Sequence, residues 1–285
     1  MAKTVAQAFS ELISKLTPTS TQFAAASTHR QEIESCLNAR LGIYRLFETG
    51  SLRHGTGVRN HSDSDFMVSL KGDRPSSDTA LTRVKSALSA RYPLTPVRVS
   101  RPAVVCKFGN GDVEVTPAYI RSTDGDFSYW IPAPGGDWII SSPDAHNKYV
   151  TEVNTKPVIS GSAKYMARLL KGWKYFNDVP VSSFYLEMRA AEYISRQSTV
   201  VWVYDLCFIF EELQSQGLAA MNDPKKVSGR IIPCSSDYSK RISLSKVDSA
   251  AKRARRALEA YRNEKYADAF AALDLLFNGK FPSRW

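Results

Sequence analysis

Two aspartates open an apolar segment of this chain, Asp63-Ser64-Asp65-Phe66-Met67-Val68. Side chains two residues apart on a strand point to one face. If the segment is a strand, both carboxylates share one spot, and like charges held there repel unless a cation sits between them. Just upstream, the apolar run 44–49 leads into Gly50-Ser51-Leu52-Arg53-His54-Gly55-Thr56. A glycine at such a turn lets the backbone approach a phosphate closely. The Ser51 hydroxyl and the amides after it can donate to phosphate oxygens. Hard carboxylate oxygens with open positions suit Mg2+, which completes its shell with substrate phosphates. A third carboxylate should come from an adjacent strand. Glu114 in Val113-Glu114-Val115 faces away from its apolar neighbours and is the first candidate. Asp112, two residues earlier on the same face, is the second, and the residues alone leave that choice open.

Period and punctuation give an α+β layout. Helical spacing covers 3–16 and 20–41, with Thr19 or Ser20 as the N-cap after Pro18. Strands are predicted at 44–49 and 65–70 around a polar turn and loop at 50–62, and a helix at 79–91. Three successive strands follow at 95–101, 103–108 and 111–116, the last pair joined across Gly109-Asn110-Gly111. Residues 125–142 read as an irregular connector with short strands. Beyond Pro143, helical spacing holds over 144–154, 160–177, 183–197, 201–216, 246–262 and 266–278. The expected division is N-terminal helices as a spine (1–42), a mixed-sheet core (43–142) and a helical lobe (143–285), with a cleft between sheet and helices.

Bulk properties narrow the class. The chain has 285 residues, 43% hydrophobic, and no apolar stretch approaches membrane-spanning length. Lys3, Glu11 and Lys15 interrupt the first segment, so it does not read as a signal peptide. Cys36, Cys106, Cys207 and Cys234 are scattered without the spacing of a zinc or redox motif, which predicts reduced thiols in a cytoplasmic protein. The net charge of +10 favours phosphate-bearing partners. The densest run, Lys252-Arg253-Ala254-Arg255-Arg256, reads as either a solvated helix face or a phosphate- or RNA-binding one. His54 reads as loop structure and His146 as a helix-start residue.

The order strand, Gly50-Ser51, Gly55-Thr56, Asp63-x-Asp65, strand resembles the polymerase β-like nucleotidyltransferases. More narrowly it resembles the bacterial cGAS/DncV-like nucleotidyltransferases (CD-NTases) of anti-phage (CBASS) signalling. The resemblance runs over roughly 40–200 and weakens in the last third. Where that family carries a third aspartate, this sequence has Glu114. Ser128-Tyr129-Trp130-Ile131-Pro132, Gly136-Asp137-Trp138 and Pro143-Asp144-Ala145-His146 resemble the family's connector. Arg168-Leu169-Leu170-Lys171-Gly172-Trp173-Lys174 resembles the helix that presents a lysine to the donor triphosphate, which makes Lys171 a phosphate contact with Arg168 one turn away. Ser182-Ser183-Phe184-Tyr185-Leu186-Glu187 resembles the start of the next helix, where Ser183 would bond the phosphates and Phe184 would stack on a base. Read without the resemblance, Lys171 is an exposed helix lysine, Phe184 a core residue and Ser182 an N-cap.

The resemblance implies an enzyme that condenses ribonucleoside triphosphates (ATP and GTP, with UTP or CTP as further substrates) into a cyclic di- or trinucleotide and releases pyrophosphate. Asp63, Asp65 and Glu114 would be both the catalytic and the metal residues, holding two Mg2+ ions, with Mn2+ as a substitute. Gly50, Ser51, Arg168, Lys171, Ser183 and Phe184 would bind nucleotide. The expected molecule is a monomer, without a membrane partner or a nucleic-acid requirement, whose product is sensed by an effector protein. The alternative is a transferase that extends RNA 3′ ends or makes linear oligonucleotides.

Overall fold

A computed structural model describes residues 2–227 and 229–285. A seven-stranded mixed sheet carries one wall of a cleft. Its order is β1 (Ile43–Glu48), β2 (Ser64–Leu70), β5 (Gly111–Ser122), β4 (Ala103–Phe108), β3 (Val97–Ser100), with β6 (Ser128–Pro132) and β7 (Trp138–Ser141) continuing from the far end of β5. β2 and β5 run parallel and every other pair in this sheet is antiparallel. One face packs Phe66, Val68, Val113 and Val115 under α2 (Ser20–Leu41) and α4 (Ser77–Arg91). The other face is left for the cleft.

The helical lobe consists of α5 (Pro143–Asn154), α6 (Ser162–Phe176), α7 (Ser183–Ser195), α8 (Trp202–Ser215), α9 (Asp237–Arg262) and α10 (Tyr266–Leu276), with a small hairpin of β8 (Met221–Asn222) and β9 (Arg230–Ile231). Its core is continuous with the apolar stripe of α1 (Val5–Leu16). Gly172 makes that contact close, since a Cβ there would lie 2.9 Å from Leu16 Cδ1. The two N-terminal helices therefore part company: α1 belongs to the helical core and α2 to the sheet. Both start with a full capping box, Thr4 with Gln7 and Thr19 with Gln22.

Three expectations about local structure are corrected. The turn after β1 contains one helical turn, α3 (Gly50–Arg53). Strand β5 continues past Pro117 to Ser122. On the antiparallel side β4 pairs with Gly111–Val115 and β6 takes over from Tyr119, so Pro117 falls between these two partners. Helix α9 begins at Asp237 rather than at 246, because Ser236 caps it by accepting from the Ser239 amide. All four cysteines are free thiols, and no helix among the described residues is long and apolar enough to cross a membrane.

Candidate active site

The parallel register sets Asp65 of β2 beside Glu114 of β5. Their neighbours Phe66, Val113 and Val115 fill the sheet core, so both carboxylates emerge on the opposite face, where Asp65 lines the smaller of two adjoining cavities and Glu114 lines neither. Asp63 precedes the strand on the same side, with its side chain open to solvent. Gly50 lies against Asp65: its φ is +61°, and a Cβ there would come within 2.6 Å of Asp65 Cγ. Thr49 N donates to Asp65 O at 2.8 Å, and the Ser51 amide bonds the Asp65 carboxylate. Gly50-Ser51 and Asp65 are thus one unit, which explains why a glycine stands at that turn.

Burial and neighbouring acids raise all three carboxyl groups. Burial, then the Glu114 and Asp63 charges, push Asp65 up to about 8, against the pull of Lys171 and the Ser51 amide. Glu114 is raised by burial and by Asp63, with Arg98 working the other way. Asp63 is raised by enclosure between the cleft walls and by Asp112, although its side chain reaches water. Asp112 has its own cation, Lys107 at 3.0 Å. Glu114 has no ion pair or hydrogen bond among the described residues; Arg98 stands two strands away across Val105. That difference favours Glu114 over Asp112 as the third acid. No group of three His, Cys, Asp or Glu side chains among the described residues forms a finished metal site. The donor set nonetheless fits Mg2+: hard oxygens, mutually repelling, with open coordination positions and no cation of their own.

Facing this wall across a cavity of about 220 Å3 are Lys171, Ser183 and Phe184. A larger cavity of about 460 Å3 adjoins it on the Asp63 side, between α2 and the β4–β5 turn. Phe184 both packs on the helical core and lines the smaller cavity, its ring edge-on to His146 at 5.0 Å. Ser182 caps α7 by accepting from the Tyr185 amide, which leaves Ser183 facing the cavity.

Lys171 is not an exposed helix lysine. It is fully buried, its Nζ donates to Thr56 O at 3.0 Å and lies 3.6 Å from Glu187. Burial lowers its pKa, and the Glu187 and Asp65 charges oppose that. Arg168 lies nearly one turn earlier on α6. Its guanidinium is spent on Gly57 O at 3.1 Å and Gly55 O at 2.8 Å, and it does not line the cavity. Two cations of α6 thus hold the loop between Ser51 and Asp63 by its carbonyls, while Arg59 ties the same loop to Ser14 O of α1 and to Thr17 O just past its end.

The sequence reading missed three groups. Glu187 is 3% exposed and bonded by His54 Nδ1, Thr56 Oγ1 and Lys171. Burial opposes its ionisation, but those partners hold it down to about 2. Its signal was a lone acid between Leu186 and Met188 in a helix interior. His54 is buried, not ordinary loop. Lys174, one turn after Lys171, donates to Ser183 Oγ at 2.7 Å; burial and then the Lys171 charge push it down to about 8. His146 packs at the start of α5 with Nε2 3.0 Å from Asp223, and burial lowers its pKa. The basic run on α9 is largely paired within the chain: Lys252 with Asp248 at 2.7 Å, Arg255 with Glu211, and Arg253 on Leu275 O at 2.7 Å. This is the solvated-face reading.

The family model described as Second Messenger Oligonucleotide or Dinucleotide Synthetase domain (SMODS) matches residues 3–154, more than half of the chain. A comparison with curated proteins returned no match. Among solved structures, Escherichia coli MS115-1 CdnC with ATP is similar at TM-score 0.77 and 16% identity, covering 98% of this chain and 99% of that one. Bradyrhizobium diazoefficiens CD-NTase CdnG in complex with GTP is similar at TM-score 0.74 and 13% identity, over 97% and 99%. Vibrio cholerae DncV cyclic AMP-GMP synthase with the linear intermediate pppA(3′,5′)pG is similar at TM-score 0.68 and 14% identity, over 84% and 70%. At these identities the likeness establishes the CD-NTase fold.

Proposed function

This chain belongs to the second messenger oligonucleotide or dinucleotide synthetase family, and we propose that it condenses ribonucleoside triphosphates into a cyclic di- or trinucleotide, releasing pyrophosphate, as a signal in anti-phage defence. The observation that carries the reading is the uncompensated acid wall. Asp65 beside Glu114, with Asp63 alongside, is a charge arrangement that proton uptake or a divalent cation must relieve. Asp63, Asp65 and Glu114 would hold Mg2+, which when bound lowers the pKa of an acceptor hydroxyl and screens charge on the transferring phosphoryl group.

The chain's own residues do the rest. Ser51 and Ser183 donate to phosphate oxygens from opposite walls. Lys174, half-buried, bonded to Ser183 and lying over the Tyr175 ring, is the cation suited to the triphosphate tail. Lys171 contributes its field from behind while anchoring Thr56. Phe184 offers a ring for a base. Arg168 shapes the loop. We read 1–42, 43–142 and 143–285 as spine, catalytic core and closing lobe, in a cytoplasmic monomer.

The neighbours with ATP, GTP and a linear dinucleotide intermediate support triphosphate substrates and stepwise synthesis. The E. coli CdnC:HORMA complex offers a precedent for protein partners, and an effector that senses the product completes the proposal. The internal pairing of the α9 basic run speaks against the RNA-end reading. Incubation with all four ribonucleoside triphosphates and Mg2+, followed by mass spectrometry, tests the reading. A phosphatase-resistant cyclic product is expected, and a strict requirement for an RNA primer would overturn it.

A further inference from the structure

The Glu187 cluster has one loose end. His54 is 3% exposed and closes α3, its backbone amide donating to Gly50 O at 3.0 Å and its Nδ1 turned to Glu187. Its Nε2 is buried and has no hydrogen-bond partner. Ser69 Oγ and Arg284 Nε share that condition among the described residues, but of the three only His54 lines the cavity with Ser51, Lys171 and Ser183. A buried nitrogen without a partner costs free energy, and its place in this wall indicates what supplies the partner.

The chemistry follows from the other side of the ring. Ionised Glu187 only accepts, so Nδ1 carries its proton and Nε2 is a lone pair in the neutral ring or an N–H in the cation. Glu187 from α7, Lys171 and Lys164 from α6 and, farther off, His146 from α5 are charged and titratable groups around it. Resting on the triphosphate reading above, we infer that His54 is a phosphate-binding residue. Its Nε2–H donates to a non-bridging oxygen of the bound triphosphate, and Glu187 behind it fixes the ring's orientation. The ring would then lie between two anions, each taking one N–H, which is a charge-assisted arrangement on both sides.

The decisive variant is His54→Asn, whose amide keeps a donor toward Glu187 and leaves nothing at Nε2. With Mg2+ present, the affinity for an α,β-methylene triphosphate should fall roughly tenfold, the worth of one charge-assisted bond. Affinity for the unphosphorylated nucleoside should not change. Equal triphosphate binding by variant and wild type overturns the inference, and so does an equal loss for nucleoside and triphosphate, which marks a damaged pocket. A second measurement needs no variant. In wild-type chain with isotope-labelled histidine, saturating inorganic pyrophosphate should move the His54 Nε2 resonance to its protonated, hydrogen-bonded position, and an unmoved resonance overturns the inference. Wild-type binding with a silent His54 removes this inference alone. A wild-type chain that binds neither triphosphate nor pyrophosphate overturns both it and the proposed function.

Discussion

Asp65 and Glu187 face each other across one cleft and have opposite histories. Both carboxylates are enclosed by the chain, half-buried Asp65 on a strand and fully buried Glu187 on a helix. Asp65 is surrounded by more acid and is pushed up to about 8. Glu187 is surrounded by His54, Thr56 and Lys171 and is held down to about 2. Burial penalises each charge alike; the neighbours decide. A buried acid whose partners are all inside the chain is scaffold, here the bolt that fixes the 51–63 loop to the helical lobe. A buried acid left without a cation is a position reserved for something that arrives later. The two also have opposite linkage. Asp65 binds a proton on folding, so the metal-free chain loses stability as pH rises from 3.8, its ordinary value, through about 8. Glu187 releases one, so its contribution is complete above 4.5 and is lost as pH falls toward 2.

The largest effect should come from breaking the unsatisfied side. Asp65→Asn should lower turnover about a thousandfold or more, the range seen when a transition-state charge stabiliser is removed. In metal-free buffer it should leave the melting temperature unchanged or higher at pH 8, and should flatten the decline of wild-type stability between pH 4 and 8. Thermal melts across pH, with and without Mg2+, check this. Mg2+ should raise the wild-type melting temperature most at high pH, where it no longer competes with protons, and should not raise that of the variant. An Asp65→Asn chain that unfolds more easily than wild type in metal-free buffer would put both acids in the same class.

The satisfied side should fail differently. Lys171→Met alone, or Glu187→Leu alone, leaves one buried charge without its partner and should cost about 3–5 kcal/mol in denaturant melts. The double variant should cost clearly less than the sum, since neither charge then remains. Additivity would show that the pair is not one electrostatic unit. Between these extremes stands Gly50→Ala. Its backbone is left-handed and its new Cβ would press on Asp65, so stability should drop by about 1–3 kcal/mol. Turnover should drop with it as Asp65 is displaced. A Gly50→Ala chain with normal kinetics would show that Asp65 has room to spare.

The two sides were not equally legible in the sequence. The acid wall was in part, because strand alternation is a local rule: Asp65 and Glu114 each carry their face with them, while the register that sets them side by side is a long-range pairing. Helix α2 was read to both ends because its Thr19 cap sits beside Pro18. Lys171 was not, since its partners are Thr56 and Glu187, far away in the chain, and Lys171 and Lys174 look alike among the apolar residues of α6. One is buried in an ion pair and the other bonds a serine at the cavity. The resemblance led to Arg168 by its spacing from Lys171, yet the carbonyls it serves exist only once the 55–57 loop has folded. Pattern finds a face; it does not find a partner across the core.

The smallest effect sharpens the comparison by holding chemistry constant and changing only depth. Arg255 and Glu211 form an ion pair like Lys171 and Glu187, but both side chains are about a third exposed rather than buried. Water solvates either member when the other is gone, so neither is stranded. A double-mutant cycle on Arg255→Met and Glu211→Leu should give a coupling of about 0–1 kcal/mol. That coupling should shrink further in high salt, because exposed charges are screened within about 10 Å at moderate ionic strength. Turnover should stay near wild type, since the pair lies on α8 and α9 and neither residue lines the cavity. A coupling at Arg255–Glu211 as large and as salt-resistant as that at Lys171–Glu187 would mean that pairing, rather than depth, sets the stability of the bolt. Half-buried Asp65, without an ion pair among the described residues, would then no longer need a cation.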